Sequence, residues 1–337
     1  MRALLLTVAG ALGAYDEKEA LDFAYMSAAA YCGYPHTSRT SLELWDCGPA
    51  CSNVTGDVTD VRQIINDGKT DAYGYVARRG DRCVLAFRGT SNNLGWFADA
   101  ASWRLVALDT RPGQPRCFAG DKKCRVGAGF YESYKSIVHY IEGNLSEIGC
   151  GPGHLPVDIT GHSLGAAQAA IAQYDLTMAG YTMGRAMTFG APRTGNWAFS
   201  AAFRALIQNG TSYRVTQAQD PIVHLPPMNA VGGGYCHVPT EISYSGTVAQ
   251  GYQQGDGTGE NLDLADEDWH WPRMLKACAD NMHSCKHLHY MADEMKVEMD
   301  GLSCTNGTIT GLLAGVLVSA YWCRGRRGSE GRPGGGR

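Results

Sequence analysis

Asp158-Ile159-Thr160-Gly161-His162-Ser163-Leu164-Gly165-Ala166-Ala167 reads as a β-branched run, then a G-x-S-x-G turn, then the start of an Ala-rich helix. Each glycine has a physical reason. A serine raised on a tight strand-to-helix turn leaves no room for a side chain two residues before or after it. Such a turn lifts the Ser163 hydroxyl clear of the sheet. It also aims the helix N-terminus, with the Leu164 backbone N–H, at negative charge developing on a bound oxygen. A tight βα turn without chemistry is the plainer reading. The pattern alone is weak, and the strand-turn-helix context gives it weight.

Outward from this stretch, short strands are predicted at Val157–Thr160, Arg185–Phe189 and Ser212–Thr216, with helices at Leu164–Met178 and Trp197–Ile207 between them. Strand alternating with helix implies an α/β class with a mostly parallel central sheet and helices on both faces. Upstream, Ala72–Ala77 and Cys83–Phe87 read as a hairpin, and Gly129–Ile141 as one amphipathic helix. Glu17–Tyr31 has the periodicity of a surface helix. Gly246–Asp268, rich in Gly, Gln and acids, reads as a long surface loop.

The length is enough for one large domain or two small ones. The chain has 337 residues, of which 44% are hydrophobic and 18% charged, too few charges for a disordered chain. The net charge of -4 gives no support to a nucleic-acid partner, and the basic residues Arg324, Arg326, Arg327, Arg332 and Arg337 sit in a Gly-rich tail. Residues 1–14 read as a signal peptide, with Arg2, the apolar run Ala3–Ala9 and small residues to Ala14. The 12 cysteines and the sequons at Asn53, Asn144, Asn209 and Asn306 agree with export. The close pairs Cys47/Cys51, Cys117/Cys124 and Cys278/Cys285 suggest local disulfides rather than zinc sites, while Cys83, in a strand, reads as a free buried thiol. The domain is thus expected over 15–305. The remainder, 306–337, holds the apolar stretch Ile309–Trp322, a candidate membrane anchor shorter than the ~20 residues needed to span a bilayer.

A serine hydroxyl needs a base titrating near neutrality, which means a histidine held by a carboxylate. Asp220 stands just past the strand Ser212–Thr216, where an acid reaches the rim at the strands' carboxyl ends. For the base, His224 is close to Asp220 in sequence and His237 has a core-like setting. His270, His283, His287 and His289 follow, and spacing does not choose among them.

Taken together, Ala86-Phe87-Arg88-Gly89-Thr90, Gly129-Phe130 with Tyr134, the elbow Gly161–Gly165, Thr188–Asn196, Asp220 with Leu225-Pro226-Pro227, Tyr235 with His237 and Glu241, and His287–Tyr290 resemble the fungal-type class 3 lipases. The resemblance runs from about Cys83 to Tyr290 and implies an α/β-hydrolase fold. It implies carboxylic-ester hydrolysis, most closely of triacylglycerols at a lipid–water interface, with Ser163, Asp220 and His287 as the catalytic set. Lys286 stands where the family has an acidic residue. The resemblance further implies oxyanion donors at Thr90 and Leu164, a lid carrying Leu94, Trp96 and Phe97, a structural role for His237, and a Cys32–Cys304 disulfide. No metal, organic cofactor or protein partner is implied. The alternatives are a phospholipase A1 or feruloyl esterase-like enzyme on the same scaffold, and a catalytically inactive surface or binding protein.

Overall fold

The protein is described from a computed structural model, covering residues 14–33, 39–66, 70, 72–90, 103–109, 111–112, 114, 116–207, 211–228, 230, 234–255, 273, 276, 285–290 and 297–298. Residues 1–13 of the expected signal peptide, the lid residues Leu94, Trp96 and Phe97, the cysteines Cys278 and Cys304, the histidines His270 and His283, and the stretch Ile309–Trp322 lie outside them.

The sheet is built around β-branched and aromatic segments buried on both faces. Among the described residues it has eight strands in chain order: β1 (Val58–Asn66), β2 (Ala72–Arg79), β3 (Arg82–Phe87), β4 (Val157–His162), β5 (Met183–Phe189), β6 (Ser212–Gln217), β7 (Glu241–Tyr244) and β8 (Gln253–Gly255). The run β3 to β7 is parallel, and β1, β2 and β8 pair antiparallel at its two ends. Alternation sets two cores. Cys83, Leu85 and Phe87 of β3, with Val157 and Ile159 of β4, face one core. Val84 and Ala86 of β3, with Val215 of β6 and Ile242 of β7, face the other.

Helix α1 (Glu17–Ala29) covers the second face, its start fixed by the Asp16 carboxylate, which accepts the Glu19 N–H at 2.7 Å. It is not the surface helix its periodicity suggested, because every residue from Asp22 to Ala29 is buried. On the first face lie α2 (Ala128–Lys135), α3 (Val138–Glu147), α4 (Leu164–Met178) and α5 (Trp197–Leu206). The single helix expected over Gly129–Ile141 is broken at Ser136, whose hydroxyl donates to the Ser133 carbonyl at 2.7 Å and competes with the backbone ladder. The loop expected at Gly246–Asp268 contains β8, which hydrogen-bonds to β7.

Two expected disulfides are present, Cys47–Cys51 and Cys117–Cys124. Cys83 is not a free thiol. It is bonded to Cys150, with a Cα–Cα distance of 6.1 Å, because the chain after α3 returns beside the start of β3. Cys32 and Cys285 are also disulfide-bonded.

Candidate active site

The elbow is assembled by sheer lack of space. A Cβ on Gly161 would stand 2.4 Å from the Gly165 carbonyl oxygen, and one on Gly165 would stand 2.4 Å from the Phe87 carbonyl oxygen. Strand β4 and helix α4 can therefore pass this close to each other and to β3 only through glycine. Ser163 sits between them at φ 59 and ψ -124, a backbone conformation costly for any residue with a side chain. Its N–H donates to the carbonyl of Phe189, the last residue of the neighbouring strand β5, at 2.9 Å. Leu164, buried, opens helix α4 directly behind it.

Asp220 lies beyond the end of β6, wholly buried. The Ile222 N–H donates to its Oδ1 at 2.8 Å, and His287 Nδ1 lies 2.9 Å from its Oδ2. The Tyr290 hydroxyl donates to the same Oδ2. Burial opposes the charge on Asp220, but His287 and these three hydrogen bonds overcome it and hold the carboxyl below its ordinary range. An ionised Asp220 requires the Nδ1 of His287 to carry a proton. With Nδ1 committed to Asp220, Nε2 is the ring nitrogen of His287 left for a general base to use.

Both atoms that would exchange the proton are buried and have no hydrogen-bond partner among the described residues: Ser163 Oγ and His287 Nε2. Their backbones are brought together by His162, the residue before the serine. Its ring lies against that of His287 with centroids 4.4 Å apart. Thr90, half-buried, follows Gly89, and a Cβ on Gly89 would stand 3.0 Å from Ser163 Cβ. The oxyanion-loop candidate is therefore beside the serine.

Of the other histidines, His237 is held away by a contact from its Nε2 to the Val223 carbonyl at 2.9 Å. Burial, with Arg214 and Arg193 nearby, keeps its pKa well below the usual histidine value. Sequence reasoning gave no role to Tyr290 or Gly190. Both belong to motifs quoted above, and the three-residue step from His287 to Tyr290 was the available signal. Gly190 has φ +60, and a Cβ there would stand 2.9 Å from His287 Cε1 and 3.0 Å from Asp220 Oδ2. Among the described residues, no group of His, Cys, Asp or Glu could hold a metal ion.

Chemically, the arrangement offers a hydroxyl, an imidazole with one nitrogen unpartnered among the described residues and a carboxylate that fixes the ring. These are the parts for nucleophilic acyl transfer. The sequence profile described as lipase (class 3) matches residues 84–230, which include Ser163 and Asp220 and end before His287. The secreted mono- and diacylglycerol lipase A of Penicillium cyclopium is 31% identical over 218 residues, 64% of this chain and 66% of that protein. The chain therefore spans about two thirds of that relative's length. A phospholipase A1 of Oryza sativa subsp. indica is 33% identical over 177 residues, 45% of this chain and 40% of that protein. Among solved structures, lipase II from Rhizopus niveus superposes with a TM-score of 0.63 at 24% identity, covering 85% of this chain and 97% of that one.

Proposed function

The chain belongs to the class 3 lipase family, and from that premise we propose that it hydrolyses acylglycerol esters through Ser163. The observation that carries this is the contact of Asp220 Oδ2 with His287 Nδ1 at 2.9 Å, which leaves His287 Nε2 and Ser163 Oγ buried without partners among the described residues. Ser163 Oγ attacks the ester carbonyl while His287 takes its proton, and the carbonyl oxygen becomes an oxyanion held by the N–H groups of Thr90 and Leu164. His287 then gives the proton to the departing alcohol. Water, deprotonated by the same nitrogen, attacks the acyl-serine, and the acid leaves as the proton returns to Ser163. Asp220 holds the ring and stabilises its cation throughout.

Secretion is supported by the disulfides, by the sequons and by the secreted status that the Penicillium relative's name states. Among the described residues, no helix is long and apolar enough to cross a membrane. The similarity to a phospholipase A1 supports a second reading, in which the acyl group comes from a phospholipid. Turnover of monoolein, triolein, phosphatidylcholine and methyl ferulate would rank the substrates. Ser163→Ala is expected to lower kcat by about 10⁴-fold or more and to abolish labelling by a fluorophosphonate. Full labelling of the alanine variant would refute the assignment.

A further inference from the structure

Tyr31 lies in the 3-10 turn Ala30–Cys32 that follows α1, far in sequence from every residue of the proposed catalytic set, and is 3% exposed. Its hydroxyl accepts the Gly89 N–H at 3.1 Å and lies 2.7 Å from His162 Nδ1. On the other side of the ring, His162 Nε2 lies 2.7 Å from the His287 carbonyl oxygen. The proton positions follow from what each group can do. A carbonyl oxygen only accepts, so Nε2 carries the hydrogen. Burial and the neighbouring His287 keep the His162 pKa well below the ordinary value, so the ring is neutral and Nδ1 is bare. Tyr31 must therefore donate to Nδ1, which leaves its oxygen to receive Gly89. The chain reads Gly89 N–H to Tyr31 O–H to His162, and His162 N–H to the His287 carbonyl.

These bonds join three segments that the backbone does not join: the loop carrying Thr90, the elbow carrying Ser163 and the short turn carrying His287. They meet where there is no slack. A Cβ on Gly89 would stand 2.3 Å from the Tyr31 hydroxyl and 2.8 Å from the His162 carbonyl oxygen. We infer that Tyr31 and His162 are positioning residues that fix the oxyanion loop and the base segment to the nucleophile's elbow as one unit. The inference rests on the acyl-transfer reading of Ser163, Asp220 and His287. A buried tyrosine that merely satisfied its hydroxyl would affect folding. One that holds Thr90 in register would affect the transition state.

The test uses Tyr31→Phe, His162→Leu and the double variant on the full chain, with a soluble p-nitrophenyl ester and an alkylboronic acid that mimics the tetrahedral adduct. Tyr31→Phe is expected to lose roughly 10- to 100-fold in kcat with KM nearly unchanged, and boronate affinity should fall by the same factor. If the two residues act as one unit, the double variant is no slower than His162→Leu. A Tyr31→Phe enzyme that keeps kcat and boronate affinity within twofold overturns the inference, as do losses that multiply in the double variant. Nitrogen NMR of wild-type protein gives an arm independent of any variant. His162 should show the neutral form protonated at Nε2, and a ring protonated at Nδ1 overturns the proposed direction. Wild-type protein that neither turns over the ester nor reacts with a fluorophosphonate would instead refute the acyl-transfer reading beneath it.

Discussion

At Gly190 the backbone leaves β5 with φ +60 and passes directly under the Asp220–His287 pair. A methyl group there would stand 2.9 Å from His287 Cε1, closer than real Cβ atoms come, and 3.0 Å from Asp220 Oδ2, so the imidazole must shift and the carboxylate give by a few tenths of an ångström. The left-handed φ adds strain of about 1–3 kcal/mol for a non-glycine residue. Displacing the imidazole by a few tenths of an ångström spoils a proton transfer that depends on alignment. Gly190→Ala is therefore expected to lose kcat by at least about 10-fold while the fold survives. Steady-state kinetics beside a thermal melt would check this, and an alanine enzyme with wild-type kcat would show that the dyad has room to spare. Ser163 carries a comparable backbone cost at φ 59, but there the side chain is the point of the turn.

Among the elements, the turn from β4 to α4 was legible because its information is local: two glycines, a β-branched strand and an Ala-rich helix within about twenty residues. Strand β1 was not read, because a bulge between Thr59 and Arg62, with Asp60 at φ 54, breaks the two-residue alternation of its buried positions Val61 and Ile64. Strand β7 is only four residues long and opens with Glu241, whose burial makes sense only beside Arg214 at 3.0 Å and Thr216 at 2.9 Å on β6. The proposed base, His287, could be picked out only through family resemblance, since it arrives 67 residues after the carboxylate it touches. Cys83 was misread for the same reason: its partner lies 67 residues on. That bridge ties the first parallel strand to the end of α3. By loop-closure entropy it contributes up to about 4 kcal/mol. Replacing both cysteines by serine is expected to lower the urea midpoint while leaving KM unchanged. An unchanged midpoint would mean that the sheet already confines the unfolded ensemble at this point.

For the molecule as a whole, acid is the condition under which the site and the fold should fail together. His162 is buried and neutral, with its pKa held well below 6.5 by burial and by His287. In the unfolded chain the same ring takes up a proton as the pH falls through that value. Below it the unfolded state binds more protons, so stability must rise with pH, by up to about 1.4 kcal/mol per pH unit for this group. Above the ordinary histidine range that contribution is flat. Asp220 has the opposite charge type but the same outcome. Its carboxyl is depressed below 3.8, so its contribution is complete above that value and is lost as the pH falls through the folded-state pKa. Glu241, lowered by Arg214 and Thr216 against its burial, adds to the same lower window. Urea titrations from pH 5 to pH 8 are expected to show stability climbing to roughly pH 6.5 and then levelling. His162→Leu should flatten that climb by one proton's worth even where it lowers stability overall. A wild-type curve that is flat below pH 6.5 and falls above it would mean that the ring is charged in the folded protein, and the hydrogen-bond direction through Tyr31 would have to be reversed.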